Sequence, residues 1–275
     1  MQLRRVLLPA RFHDKAAGAK LAAHTKIEKV EGDLFRVDCL AEGITFFWNE
    51  APDNNLWFLI EQEFNAGNPH CYTTPPIQLR PTSLVLDIGA CEGLFAFRLI
   101  KNDQARRVLC FEPGEVTSAL IHRGIEANSL DASRVVVEQM AAARESGEVV
   151  FEDGVSATAG RIVDAKESGG LAVKAVSLDE YCASQEICLN ADDLIKIDAE
   201  GADYDILLGA QEQIRVGGPQ IAVTTYHSAE HCDQMVALLR QLRPDYQLRV
   251  KGFSFWTERP NPVLLQASTR PAPMN

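Results

Sequence analysis

From Ser83 onward, apolar residues come in short continuous runs separated by stretches with helical spacing. Leu84-Val85-Leu86-Asp87-Ile88 reads as a buried strand, because a strand covered on both faces loses the alternation of a half-exposed one. A helix is expected over residues 94–101, a second strand at Val108-Leu109-Cys110-Phe111 and a second helix over residues 116–128. Val135-Val136-Val137 is the third strand. Leu194-Ile195-Lys196-Ile197-Asp198 is the fourth and Ile221-Ala222-Val223-Thr224-Thr225-Tyr226 the fifth, with helices over residues 204–214 and 230–242. Residues 149–151 and 171–176 read as an inserted hairpin or edge pair. The last two strands, near residues 246–251 and 263–266, have no long helix between them, which predicts an antiparallel finishing hairpin. Strands alternating with helices predict an α/β chain with a mostly parallel, doubly wound sheet. Such sheets hold ligands at the carboxyl ends of their strands.

The first 80 residues follow another pattern. Phe35-Arg36-Val37-Asp38 and Ile44-Thr45-Phe46-Phe47-Trp48 are β-like, residues 55–64 have helical spacing, and Gly67-Asn68-Pro69 breaks the helix. Residues 1–80 are therefore expected to form an α+β cap, and residues 81–275 the ligand-binding domain.

Composition narrows the functional classes. The chain has 275 residues, enough for one large α/β domain with an accessory segment. Its net charge of -11 repels phosphate backbones and argues against nucleic-acid partners. No apolar stretch is long enough to span a bilayer. Residues 1–8 resemble the start of a signal peptide, but Arg11 and His13 interrupt the apolar part. The seven cysteines are odd in number and lack CxxC spacing, which reads as reduced thiols in a cytoplasmic protein. The expected partner is a small molecule, and the cap is equally suited to a substrate lid or a homodimer surface.

The strongest local signal is Asp87-Ile88-Gly89-Ala90-Cys91-Glu92-Gly93, placed between a strand and a helix. Gly89 permits a sharp turn and Gly93 close packing at the helix start. This D-x-G-x-x-x-G differs from the G-x-G-x-x-G of dinucleotide binders, and an acid at Asp87 suits an ammonium group better than a phosphate. The second strand ends in Phe111-Glu112-Pro113, 25 residues after Asp87, where an acid can accept from both hydroxyls of a ribose. Gln139 and Met140 follow the third strand, where they would border a nucleoside base.

The fourth strand carries Lys196 among apolar residues, where it either faces a carboxylate or sits on an exposed side, then Asp198 and Glu200 before Gly201 turns the chain. Two carboxylates there suit substrate orientation, general-base work or a divalent cation. His227 ends the fifth strand at the same rim, where an imidazole is suited to take a hydroxyl proton.

Together these pieces resemble the FkbM family of methyltransferases. The resemblance is carried by Val85-Leu86-Asp87-Ile88-Gly89-Ala90, Phe111-Glu112-Pro113, Val176-Ser177-Leu178-Asp179, Leu194-Ile195-Lys196-Ile197-Asp198-Ala199-Glu200-Gly201 and Leu207-Leu208-Gly209-Ala210. It runs from about Glu61 to the end of the fifth helix, and Tyr226-His227 resembles a subgroup. The resemblance implies a Rossmann-like class I methyltransferase fold, S-adenosylmethionine as methyl donor and O-methylation of a sugar or natural product. By position, Asp87 and Gly89 would hold the methionine end, Glu112 the ribose, and Asp198 and Glu200 would face the reaction centre. Ala90, Gly93, Pro113, Gln139 and Met140 complete the expected donor-binding set, which also takes in Asp198. The chain departs from the family at Cys91, where Asn is common, and at the charged Glu92 that follows. Residues 1–60 carry no resemblance of their own.

The mechanism this implies is in-line attack of a substrate hydroxyl on the sulfonium methyl, with His227 or Asp198 taking the proton. A variant places a divalent cation at Asp198, Glu200 and His227. The metal-free form is preferred, because the fifth strand offers few further hard oxygen ligands. An NAD-dependent oxidoreductase is the rival enzyme class, opposed by the missing G-x-G-x-x-G and by Asp87. A non-catalytic binding module on the same fold is the remaining alternative.

Overall fold

The computed structural model describes residues 21–152, 160–163, 170–228, 230–254 and 260–270. The apolar run at residues 1–8 lies outside them.

The chain opens with a three-stranded antiparallel sheet of β1 (Thr25–Glu31), β2 (Leu34–Cys39) and β3 (Ile44–Trp48). Helix α1 (Asn54–Phe64) follows, so the small β unit and single helix read from the sequence are both present. Asp53 starts α1 by accepting from the backbone N–H groups of Asn55 and Leu56 at 2.9 and 3.2 Å. Every residue of β3 is buried, and Phe46 and Trp48 pack in one cluster with Phe97, Ile121 and Ile125 of the next layer. Asn128 fastens the join by accepting from Thr45 N at 2.9 Å.

The central sheet has seven strands in the order β6-β5-β4-β11-β12-β14-β13. They are β4 (Leu84–Ile88), β5 (Arg107–Phe111), β6 (Val135–Glu138), β11 (Leu194–Ile197), β12 (Gln220–Thr224), β13 (Gln247–Ser254) and β14 (Asn261–Ser268). β4, β5, β6, β11 and β12 run parallel, and β14 enters antiparallel between β12 and β13. β4, β11 and β12 are buried throughout, as their continuous apolar runs require. One face is covered by α2 (Leu94–Lys101), α3 (Glu115–Ala127) and the cap; the other meets α5 (Asp203–Leu208), α6 (Gln211–Gly217) and α7 (His231–Leu242). This is the doubly wound sheet with a C-terminal antiparallel hairpin that the sequence predicts.

A second, four-stranded sheet is inserted after β6, in the order β7-β10-β8-β9. It comprises β7 (Ala141–Ala142), β8 (Gly147–Glu152), β9 (Arg161–Val163) and β10 (Leu171–Val176). β8 and β10 form the antiparallel pair expected at residues 149–151 and 171–176. Helix α4 (Leu178–Ser184), not anticipated from the sequence, starts where Ser177 Oγ accepts from Glu180 N at 3.2 Å.

The single helix expected over residues 204–214 is two helices, α5 and α6. The break falls at Gly209, where the chain passes so close to its neighbour that a Cβ would lie 2.3 Å from the Ala143 carbonyl oxygen. Asp179 then starts the second piece, accepting from Glu212 N and Gln213 N at 2.9 Å each. Apolar spacing alone does not report a cap supplied from 33 residues upstream.

Candidate active site

A cavity of about 330 Å³ opens at the carboxyl ends of β4, β5 and β11. The sheet supplies Gly89, Ala90, Glu92, Glu112, Pro113, Lys196, Asp198 and Glu200. The cap closes it with Phe58, Leu59, Gln62, Glu63 and Tyr72, and the inserted sheet adds Phe151, Arg161 and Ile162.

The floor is the turn after β4. Gly89 has φ +73°, and a Cβ there would lie 1.9 Å from the Asp198 carbonyl oxygen, so only glycine fits beneath the end of β11. Gly93 has φ +83°, and its Cβ would meet the Phe97 ring at 2.7 Å. Cys91 also has positive φ, +52°. Asn tolerates that conformation better than most residues, which gives a physical reason for Asn at this place in the family.

At the tip of β5, Glu112 is buried and its carboxylate accepts from Cys91 N at 2.9 Å, Gly114 N at 3.1 Å and Thr117 Oγ1 at 2.8 Å. These bonds fix it between the two turns. They leave part of a carboxylate's four-fold acceptor capacity for a ligand.

Asp87 lies away from the position the sequence suggested. It is 0% exposed and outside the cavity lining, and its Oδ1 is 2.9 Å from Lys196 Nζ. The two residues are register partners on neighbouring parallel strands, so their side chains leave the sheet on the same face. Lys196, not Asp87, reaches the cavity, and it donates to the Gly89 carbonyl at 2.7 Å. Burial alone would lower its pKa; the carboxylates of Asp87 and Asp198 outweigh that and hold it above the ordinary lysine value.

A carboxylate that the sequence treated as a departure does face the cavity. Glu92 is 1% exposed, and its Oε2 has no hydrogen-bond partner. Burial raises its pKa to about 7 against the hydrogen bond from the Cys91 thiol. Glu63 lies nearby, paired with Arg98 at 3.2 Å in a buried bridge between α1 and α2.

Beyond β11 the chain carries Asp198, Glu200 and Asp203, and beyond β12 it carries Tyr226 and His227. Asp198 accepts from Tyr72 Oη at 2.6 Å, from Thr224 Oγ1 at 3.2 Å and from the Tyr226 hydroxyl. Asp203 is fully buried and ties the region together. It accepts from Ala199 N at 2.9 Å, Gly201 N at 3.2 Å and Thr224 Oγ1 at 3.0 Å, and meets His227 Nδ1 at 2.8 Å. By gripping the amides on both sides of Glu200, it holds that residue at φ +47°, a conformation uncommon outside glycine. His227 Nε2 then points at Glu200 Oε2, 3.3 Å away, and Asp198 Oδ1, 4.0 Å away. Burial would lower the His227 pKa, but the Asp203 and Glu200 carboxylates dominate and raise it to about 10.

Gly89, Ala90, Glu112, Pro113, Asp198 and Glu200 therefore share one cavity as the sequence suggested. His227 stands just behind the lining, next to Glu200. Gly93 supports the turn from below, and Gln139 and Met140 are outside the lining, where Ala141 and Ala142 take their place. Sequence reasoning missed Tyr72 and Asp203; of its two readings of Lys196 the structure shows the one facing a carboxylate, and supplies the partner it did not name, Asp87. The only trace of Asp203 was its position after the Asp198-Ala199-Glu200-Gly201 turn, and Tyr72 gave no signal.

The model of the methyltransferase FkbM domain matches residues 87–248, more than half of the chain. No curated protein matches the chain in sequence. Among solved structures, the chain is similar to methyltransferase FkbM from Methylobacillus flagellatus KT, with 18% identity and a TM-score of 0.52. That alignment covers 79% of this chain and 55% of the other, so this chain spans about half of that protein. The two share the Rossmann-like fold of class I methyltransferases. A more distant likeness is to M. jannaschii TYW2 in complex with AdoMet, with 12% identity, a TM-score of 0.45 and coverage of 89% of this chain and 85% of that one. The turn at Gly89, the acid at the tip of β5 and the matched span agree: the chain belongs to the methyltransferase FkbM domain family.

Proposed function

We propose that the protein is an S-adenosylmethionine-dependent methyltransferase that methylates a hydroxyl oxygen on a small, neutral or cationic acceptor such as a sugar or natural product. The observation that carries this reading is that Asp198 and Glu200, with His227 directly behind them, line the same cavity as the Gly89 turn and Glu112. The residues present fit the donor. Glu112 retains acceptor capacity for a ribose, and Glu92 offers an ammonium the buried Oε2 of its carboxylate. The lining holds Glu50, Glu63, Glu92, Glu112, Asp198 and Glu200 against Arg161 and Lys196, a balance that disfavours phosphorylated or carboxylated acceptors.

S-adenosylmethionine supplies a methyl group on a sulfonium sulfur. Held by the Gly89 turn, Glu112 and Glu92, it would give that methyl to the acceptor oxygen, and the electron pair of the broken carbon–sulfur bond would stay on sulfur. The acceptor's proton would leave to a carboxylate of the cluster, Asp198 or Glu200, with His227 balancing their charge. Most of the rate enhancement comes from holding the two reactants in line, which supplies up to about 7–11 kcal/mol. Tyr72 fixes Asp198, and Asp203 fixes both Glu200 and His227, so the cluster does not have to reorganise as charge moves.

An oxidoreductase using NAD fits less well. Glu92 lies in the turn that opens α2, the place where a pyrophosphate would be held, and burying two anions together there is costly. Calorimetric titration with S-adenosylmethionine, and separately with NAD, distinguishes the two. Micromolar binding of the first, weakened in Glu112→Ala, followed by transfer of radiolabelled methyl to a hydroxylated acceptor, is the expected result. Binding of NAD alone would overturn the reading.

A further inference from the structure

We infer that Asp198, Glu200 and His227 hold a hard divalent cation, magnesium or manganese, with Asp203 as its outer support.

The ligand atoms are already gathered. One oxygen from each carboxylate and one imidazole nitrogen lie within 4.8 Å of one another. An octahedral cation with bonds of about 2.1 Å places neighbouring ligand atoms about 3 Å apart and opposed ones about 4 Å apart. The Nε2 separations of 3.3 Å to Glu200 Oε2 and 4.0 Å to Asp198 Oδ1 fall on that scale.

The histidine gives an independent indication. The His227 side chain is 10% exposed, and the nearest ion-pair partner of its buried Nε2 is the Glu200 carboxylate oxygen at 3.3 Å. Asp203 accepts from Nδ1 at 2.8 Å, which keeps a proton on that nitrogen, so a cation that displaces the Nε2 proton would meet the lone pair of a nitrogen already aimed at the two carboxylates. A carboxylate behind a histidine is the usual way of orienting a metal-binding imidazole. Asp198 is braced on both oxygens, by Tyr72 at Oδ2 and by Thr224 Oγ1 at Oδ1, and this second oxygen lies 4.0 Å from His227 Nε2 with acceptor capacity to spare. Glu200 is carried on a backbone of positive φ that Asp203 clamps on both sides. Counting ligands along the sequence favoured the metal-free version; what that count missed is the supporting layer.

The ligand chemistry selects the cation. Two carboxylates, one imidazole and no thiol in the group favour magnesium or manganese over softer ions. Asp198 and Glu200 also line the cavity, so the ion's remaining positions face the acceptor. An acceptor oxygen placed there would lose its proton more readily. This catalytic role rests on the methyl-transfer reading; the binding itself does not.

The test is titration of the full chain, freed of metal, with Mn²⁺ alone, followed by electron paramagnetic resonance. One site per chain is expected, with affinity falling at least tenfold in Glu200→Gln and in His227→Ala. Asp203→Asn, which keeps all three ligands, is expected to weaken binding by roughly ten- to a hundredfold. Circular dichroism and S-adenosylmethionine binding, measured on each variant, show whether it is folded. No Mn²⁺ site in a folded wild-type protein, or equal binding by folded variants, overturns the inference. Failure to bind S-adenosylmethionine while the Mn²⁺ site is present would overturn the functional reading and leave the ion site standing.

Discussion

Lys196 and Asp87 form an ion pair of 2.9 Å inside the central sheet, both with negligible exposure. The pair joins β4 to β11 at the point where the cavity opens, and the ammonium also holds the Gly89 carbonyl. Replacing one partner strands the other as a buried charge. Lys196→Met is expected to destabilise the fold by about 3–5 kcal/mol. The double variant Asp87→Asn with Lys196→Met is expected to recover a large part of that loss. Urea denaturation of the single and double variants checks both statements; equal destabilisation in the two would show that the lysine does not act through Asp87.

Gly89 and Gly32 both have positive φ, but only Gly89 is crowded. Gly32→Ala meets no atom within 4 Å and is expected to cost about 1–2 kcal/mol, the backbone strain alone. Gly89→Ala must displace the Asp198 backbone, and a loss of about 4 kcal/mol or more is expected. Thermal unfolding of the two variants, with donor binding measured alongside, separates strain from crowding.

Glu92 sets a pH dependence whose sign follows from its surroundings. Its folded pKa of about 7 lies above the ordinary 4.5, so the native state retains a proton that the unfolded chain gives up. The cost is absent below pH 4.5, grows as the pH rises to 7, and is fully present above it. Glu92→Gln is therefore expected to match the wild-type melting temperature near pH 4.5 and exceed it at pH 8. Donor affinity moves the other way. Between pH 6 and pH 7.5 the wild type gains a carboxylate for the donor's ammonium, so its affinity relative to Glu92→Gln is expected to rise. A ratio that stays flat across that interval would remove Glu92 from donor binding.

Tyr72 reaches Asp198 from outside the matched family span. Its 2.6 Å bond fixes the rotamer of Asp198. A hydrogen bond to a charged group contributes about 1.5–3 kcal/mol, so Tyr72→Phe is expected to lower kcat by roughly tenfold or more. S-adenosylmethionine affinity should stay within about twofold of wild type. Steady-state kinetics with donor titration tests the split; a matching loss of donor affinity would assign Tyr72 to binding.

The sheet was legible because burial on both faces writes itself as continuous apolar runs, as in Leu84-Val85-Leu86-Asp87-Ile88. Glycine turns and acids at strand tips were legible for a similar reason, since each is a local demand of the backbone. What remained hidden was non-local. The partner of Asp87 is 109 residues away, and the Tyr72 hydroxyl that fixes Asp198 comes from 126 residues upstream. The same holds for the break between α5 and α6, which depends on Asp179 and on close approach to Ala143. Such contacts are set by three-dimensional packing, and residue spacing along one chain does not encode them.

The β3 strand and the helices beneath it share one continuous apolar cluster, and the buried Glu63–Arg98 bridge crosses the same seam. The cap therefore does not behave as a hinged cover with its own folding equilibrium. Lifting it would expose Phe46, Trp48 and Phe97 to water together and leave two opposite charges stranded. Cap and sheet are therefore expected to melt as one cooperative unit.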